Sequence, residues 1–155
     1  MGHFLGTHQN RLDAKGRVSV PSPFRAALRM RDEAEAGASL VLRPSHKHAC
    51  IEAWPASAFQ ALATPLNRLD MFSEAHEDLA AVLYADAFPV EADKEGRIVL
   101  PDRLVAHAGL TGVVVFMGLG NIFQIWEPAA AEARQQEARA RARARDLTLP
   151  GAVAA

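Results

Sequence analysis

The sequence predicts an α+β fold made of two tandem copies of one β-hairpin module that interlock around a shared core. Two observations carry this prediction. A box reading D-A-K-G-R-V-S-V-P at 13–21 returns as D-K-E-G-R-I-V-L-P at 93–101, with Asp, Gly, Arg and Pro in register. Each box is followed by the same succession: a short helix-forming stretch, an apolar run, and a second run ending at a tryptophan, Trp54 in the first copy and Trp126 in the second. One copy alone has too little apolar area to be stable, so the two must bury one core between them.

The elements follow in order. Phe4 to Leu12 predicts a strand and Asp13 to Gly16 a tight hairpin turn. Gly16 and its counterpart Gly96 can take a positive φ without steric cost. The carboxylates of Asp13 and Asp93 can accept backbone N–H groups within their turns. Val18-Ser19-Val20 alternates as a short strand. Pro21 ends it, because proline cannot donate to a sheet ladder. Ser22 then predicts a helix N-cap with Pro23 at the first helical position, and Asp102 predicts the cap after Pro101. The helix Phe24 to Met30 places Phe24, Ala27 and Leu28 on one face and Arg25 and Arg29 on another.

Leu40 to Leu42 with Cys50 to Trp54, and Val113 to Phe116 with Ile122 to Trp126, predict the remaining strands. The first copy is longer by eight residues between its Pro and its Trp, a surplus assigned to a Glu/Ala/Gly-rich loop at 30–38. Between the copies, Pro55 to Leu69 and Phe72 to Ala87 carry leucines and Phe59 at helical spacing, which predicts two connector helices. Pro128 to Arg145 is rich in Ala, Arg and Glu and predicts a final helix. The expected organisation is a first module at 4–56, a helical connector at 57–88, a second module at 89–132 and a helical or disordered tail at 133–155.

Composition bounds the function. The chain is 155 residues, 50% hydrophobic and 23% charged, an ordinary globular balance. Charges or prolines interrupt every long apolar run, which argues against a transmembrane helix. A basic-then-apolar secretory layout is missing from the first residues, and Gly6 stands where a myristoylation motif wants Ser or Thr. A single cysteine, Cys50, precludes an internal disulfide and fits a reducing cytoplasm. The net charge of −1 conceals a strong asymmetry. Residues 1–31 carry Arg11, Lys15, Arg17, Arg25, Arg29 and Arg31 against Asp13 alone, a net +5. Residues 70–95 carry eight acids against Lys94, a net −7. Such a chain can turn a basic face to DNA and keep an acidic face away from it. Gly-rich phosphate loops, nucleophile elbows and metal-binding His-Glu helices are missing from the sequence, so no enzyme and no cofactor are expected.

The paired D-x-x-G-R…P boxes resemble the SpoVT/AbrB-type swapped-hairpin fold. Two boxes in tandem, the opening Phe4-Leu5-Gly6 and the Trp-Glu strand end resemble the MraZ family, over about Phe4 to Pro128. Gly2-His3 is an insertion at that family's usual start. The resemblance implies a pseudo-twofold β-barrel core with flanking helices. It also implies a cytoplasmic, nucleoid-associated regulator that represses its own division and cell-wall operon. Its expected partners are double-stranded DNA, at promoter direct repeats, and itself, as a ring-shaped, octamer-like homo-oligomer. The family's D-x-x-x-R motif maps onto Asp13 and Arg17, and onto Asp93 and Arg97, as the DNA-contacting tips.

Residue chemistry sorts the candidates. Arg17 can take a guanine bidentately, whereas Lys15 suits a phosphate contact. Asp13, Gly16, Asp93 and Gly96 hold the turns. Arg11 and Arg25, with Arg29, are either phosphate clamps or a solvated surface. Arg97 either binds DNA or pairs with acidic residues at a subunit interface. Lys94 sits one position before the place of Lys15, and Glu95 takes that place itself. A carboxylate there repels phosphate. His46, His48 and Cys50 alternate, so a strand would put them on one side, but a structural zinc site usually needs four ligands and no second cluster supplies another. Trp54 and Trp126 are expected as buried strand ends, not base-stacking platforms. Arg139, Arg141, Arg143 and Arg145 spread charge around the last helix, as a solvated tail with at most non-specific DNA affinity. The alternative function is an AbrB-fold antitoxin or adaptor that sequesters a protein partner. A disordered toxin-binding tail at 128–155 would serve it, but a second full box argues against it.

Overall fold

The computed structural model describes residues 2–31 and 39–151. Most of the expected loop at 30–38 lies outside the described residues. Eight strands and six α-helices are seen among them. The first copy contributes β1 (Thr7–Arg11), β2 (Arg17–Ser19), α1 (Ser22–Arg31), β3 (Ser39–Pro44) and β4 (Ile51–Pro55). The connector follows as α2 (Ala56–Gln60), α3 (Ala63–Leu66) and α4 (Glu74–Ala80), which runs into a π-helical turn at Ala81–Ala85. The second copy is β5 (Phe88–Glu91), β6 (Arg97–Val99), α5 (Asp102–Ala108), β7 (Val113–Gly118) and β8 (Phe123–Trp126). Helix α6 (Pro128–Ala144) closes the order.

The strands form a six-stranded sheet ordered β1-β7-β8-β4-β3-β5 and a two-stranded ribbon, β2-β6. Exchanging each element with its counterpart maps the sheet order onto itself reversed, so a pseudo-twofold axis passes between β8 and β4. The copies are interlocked. Strand β1 pairs with β7 of the other copy, from Thr7 opposite Met117 to Arg11 opposite Val113. Strand β5 pairs with β3, and β4 with β8, across the same divide. In the ribbon, Arg17 lies opposite Val99, Val18 opposite Ile98 and Ser19 opposite Arg97.

One core results. Val18, Val20, Ile98 and Leu100 point inward from the ribbon, against Leu40, Leu42, Ile51, Val114, Phe116, Phe123 and Ile125 of the sheet. Phe24 and Leu28 of α1, and Leu104 and Ala108 of α5, close it. Phe4 and Phe24 meet edge-on at 5.4 Å between ring centroids.

Several expected elements differ in ways that have physical reasons. The first strand is shorter, because Gly6 at φ +90° breaks the extended chain after Phe4 bridges to Gly120. The expected hairpin is not a ladder: β1 and β2 pair with different strands, and only the turn between them closes, through Asp13 N–H to Arg17 C=O at 3.0 Å. The helices start one residue early. Pro101, at φ −57° and ψ 141°, holds the N-cap of α5, and Asp102 is already helical. In the first copy the Pro21 carbonyl accepts from Phe24 and Arg25, both at 2.9 Å, so Ser22 is likewise inside α1 and not its cap. Proline supplies the extended backbone a cap needs, and its free carbonyl starts the ladder. The single helix expected over 55–69 is two short ones, because Pro65 has no N–H to continue a helix begun at Ala56. The second connector helix ends in a π-helical turn, whose altered spacing frees carbonyls from the usual ladder.

One of those carbonyls is claimed by a charged residue whose counterpart in the second copy is apolar. Arg43 of β3 is 1% exposed. Its Nη2 donates to Val82 C=O at 2.9 Å and meets His46 Nδ1 at 3.2 Å. Its Nη1 pairs with Glu52 of β4, which also accepts from Trp54 Nε1 at 3.1 Å. Among the described residues its Nε has no hydrogen-bond partner. The register places Arg43 opposite Glu52 just as Met117 lies opposite Gln124 in the second copy. There Gln124 accepts from Trp126 Nε1 at 2.8 Å, so the amide and the carboxylate do the same work for their tryptophans.

That correspondence makes a stability prediction. Arg43→Met alone strands the Glu52 carboxylate in a largely dry site, and urea denaturation should show a loss of about 3 kcal/mol. Arg43→Met with Glu52→Gln recreates the pair of the second copy and should recover more than half of that loss. A double variant no more stable than the single one would refute the correspondence.

Candidate nucleic-acid interface

The two boxes fold into turns of one design. Asp13 Oδ1 accepts the backbone N–H of Lys15 at 2.9 Å and of Arg17 at 2.8 Å, and its Oδ2 accepts Arg17 Nε at 2.7 Å. Asp93 repeats this with Glu95 N–H and Arg97 N–H, both at 2.9 Å, and Arg97 Nε at 3.0 Å. Gly16 and Gly96 both sit at φ +80°, where a β-carbon would be strained. The turn holds the arginine, and the arginine's own backbone holds the turn. Both carboxyls are pushed below their ordinary range, first by the N–H of the box arginine and then by its side chain and the next N–H, while desolvation opposes.

Pairing between β2 and β6 welds the turns together. Val20 N–H reaches Gly96 C=O at 2.9 Å, and Leu100 N–H reaches Gly16 C=O at 2.8 Å. Val18 and Ile98 are buried, so strand alternation turns Arg17, Ser19, Arg97 and Val99 to the solvent face of the ribbon. Val99, 56% exposed, leaves an apolar spot beside Arg17, the residue it opposes. Asn10 Nδ2 donates to Ser19 C=O at 2.6 Å and fastens β1 to the ribbon.

The turns share a frame but not a charge pattern. Around the first, Asp13 occupies only the Nε of Arg17, and both terminal nitrogens remain without a partner among the described residues. Lys15 is exposed and makes no ion pair among them, and Arg11 stands exposed at the end of β1. Around the second, Arg97 Nη2 is taken by Glu95 Oε2 at 3.2 Å, and Asp93 and Glu95 both hold its proton more firmly than usual. Lys94 is exposed on that turn without an ion pair among the described residues.

Arg25 departs from its expected place. Its Nη1 donates to Glu95 C=O at 2.9 Å, and its side chain lies on Gly96, which is buried under it. The first copy thus fastens the second turn. Val105, at the corresponding place in α5, has no head group to return the contact. Repeat comparison could have flagged Arg25 as the unmatched residue, but not the reach across the divide. Arg43 and Glu52 were also missed, since a charged pair on neighbouring strands reads as surface.

The remaining candidates fall elsewhere. His46, His48 and Cys50 lie in the β3–β4 loop and at its edge rather than along one strand, so the expected alternation is absent. His46 faces Arg43, while His48 packs near Trp126 at 5.7 Å. Cys50 is buried beside Val115, Met117 and Ala131, and burial pushes its thiol up to about 12. Groups of three or more His, Cys, Asp or Glu that could hold a metal ion are missing among the described residues. Trp126 is 4% exposed, while Trp54 is half-buried against Phe59 of α2. Arg29, Arg139, Arg143 and Arg145 are exposed, and Arg141 pairs with Glu137 at 3.3 Å. Among the described residues, no helix is long and apolar enough to cross a membrane.

Comparison with known proteins agrees with the tandem design. The family model described as MraZ protein, antitoxin-like, matches twice, at 3–81 and 83–149. A relative from Gluconacetobacter diazotrophicus, named transcriptional regulator MraZ, is 67% identical over 97% of this chain and 93% of its own length. Another so named, from Gluconobacter oxydans, is 64% identical over 90% of this chain and 84% of its own. A third, from Rickettsia canadensis, is 35% identical over 98% and 99%. Two matches of one family model, each spanning one box, and relatives of this identity over nearly the whole chain place it plainly: it belongs to the MraZ family.

Proposed function

We propose that this protein is a transcriptional regulator that reads double-stranded DNA through the Asp13–Arg17 turn. The observation that carries the reading is the division of labour within Arg17. Its Nε and backbone N–H are spent on Asp13, which fixes the guanidinium, while its two terminal nitrogens have no partner among the described residues. A guanidinium fixed at one edge and free at the other can donate to guanine O6 and N7 in the major groove. Lys15 and Arg11 flank it as phosphate contacts. The second turn, with Glu95 on Arg97, is the weaker DNA contact, and Arg25 serves it as a fastener. The protein acts in the cytoplasm at the nucleoid and represses its own division and cell-wall operon by occluding the promoter.

One turn makes few contacts, and the chain is slightly acidic overall. Affinity therefore depends on display of several turns at once. A ring-shaped homo-oligomer, octamer-like, on direct repeats raises the effective concentration of each further turn. No enzymatic step is assigned.

Three outcomes test this reading. In fluorescence anisotropy, wild type should prefer the DNA upstream of its own gene over scrambled DNA. Arg17→Ala should lose that preference, by about 1–3 kcal/mol per contacted base pair. Binding should fall steeply with salt, because phosphate neutralisation releases counterions. A variant that still discriminates, or a flat salt response, would sink the proposal. Glu95→Lys removes the carboxylate that occupies Arg97 and should tighten binding at low salt and steepen the salt slope by about one; an unchanged slope would mean that the second turn faces away from DNA. The lock also has a pH signature. Because the native Asp13 carboxyl lies below its ordinary value of 3.8, its stabilising contribution is complete above that pH and disappears as pH falls through the lower native value. An NMR titration of Asp13 should show this, and Arg17→Ala should raise the value only partly, since the backbone N–H at 17 remains.

A further inference from the structure

The connector ends its first half in a turn that presents an aromatic side chain to solvent. Phe72 is 92% exposed and Met71 is 66% exposed. The turn is built, not loose. Asp70 Oδ1 accepts Phe72 N–H at 3.1 Å, and Asp70 C=O accepts Ser73 Oγ–H at 2.6 Å. Ser73 then caps α4 by accepting His76 N–H. The knob is rimmed by acid, with Asp70 before it and Glu74 after it. Met71 and Phe72 side by side in water form a small apolar knob that a partner surface can cover.

The half of the outer face that lies under α6 carries a depression. Where α6 crosses the outer face of β7 and β8 it leaves a groove of about 410 Å³. Its apolar lining includes Met117, Leu119, Ala138 and Ala142, and Arg134 and Arg139 stand at it. Leu119 is 50% exposed there. Arg134 is shared with Glu137 at 3.1 Å, while Arg139 has no ion-pair partner among the described residues. The volume of the groove is ample for one aromatic ring, Leu119 offers it exposed apolar surface, and the arginines complement the acids of the knob.

Knob and groove cannot meet within one chain, because the connector covers the half of the sheet formed by the first copy and α6 the half formed by the second. We propose that the Met71–Phe72 turn of one chain seats in the α6 groove of the next. The contact joins two different surfaces, so it propagates head to tail and closes into a ring when the rotation allows. It rests on the homo-oligomer reading above and names the surfaces that build it.

The test is sedimentation velocity without DNA, so its failure is separable from failure of DNA reading, which a short duplex carrying a single site examines on its own. Phe72→Ala removes the knob, and Ala142→Trp fills the groove. Both positions are exposed, and unchanged circular dichroism and melting temperature show that the variants are folded. Each alone should associate at least roughly tenfold more weakly than wild type. Mixed, they retain one working contact per pair and should stop at a heterodimer. Glu74→Arg and Arg139→Glu should each weaken assembly and together restore it. The proposal is overturned if wild type is monomeric, if Phe72→Ala assembles normally, or if the mixture forms no heterodimer.

Discussion

Neither copy of the repeat can satisfy its own backbone. The hydrogen-bonding edge of β1 is met by β7, that of β2 by β6 and that of β5 by β3, each time across the pseudo-twofold. An unpaired buried N–H or C=O costs as much as a lost hydrogen bond, so this exchange is the constraint from which the rest follows. It forces one core where two repeats would suggest two. It also brings the boxes, eighty residues apart in the chain, onto one ribbon with each glycine carbonyl bonded to the other box's strand. Precise presentation of Arg17 therefore depends on residues of the second copy. A change at Leu100 or Gly96 acts on the first turn as directly as one beside it.

Within that shared frame the copies have diverged by small exchanges. Glu52 stands where Gln124 does, Arg43 where Met117 does, and Glu95 where Lys15 does. The first two fasten the connector to one half of the sheet through Val82. The third quiets one arginine while leaving its mirror image free. The backbone conserves the symmetry, and the side chains break it. Each half of the outer face is covered differently, by the connector on one side and α6 on the other.

Local chemistry made much of this readable beforehand. The Asp-to-arginine turn, the inward faces of β2 and α1, and the paired tryptophans follow from spacing and residue type, because they are short-range consequences of sequence. What escaped is what depends on distant partners. Phe4 to Leu12 looks like one strand until Gly6 and Gly120 show where the sheet ends. Ser22 looks like a cap because its hydroxyl could serve, but the carbonyl of Pro21 already begins the helix. Arg25 looks like a surface cation until the second turn is folded beneath it. Arg43 is the extreme case, since nothing in its neighbours announces that a connector carbonyl 39 residues on will need a donor.

The open edges of the six-stranded sheet have a further consequence. A sheet that does not close offers two rows of unpaired backbone groups to any passing extended chain. Here those rows belong to β1 and β5, of five and four residues. Strand β1 turns Thr7, Gln9 and Arg11 outward, and β5 carries Pro89, which has no N–H to offer a newcomer. The architecture thereby protects itself against uncontrolled strand addition. Any crowding of like chains is where that guard matters, because stray β-pairing between edges would otherwise lead to aggregation.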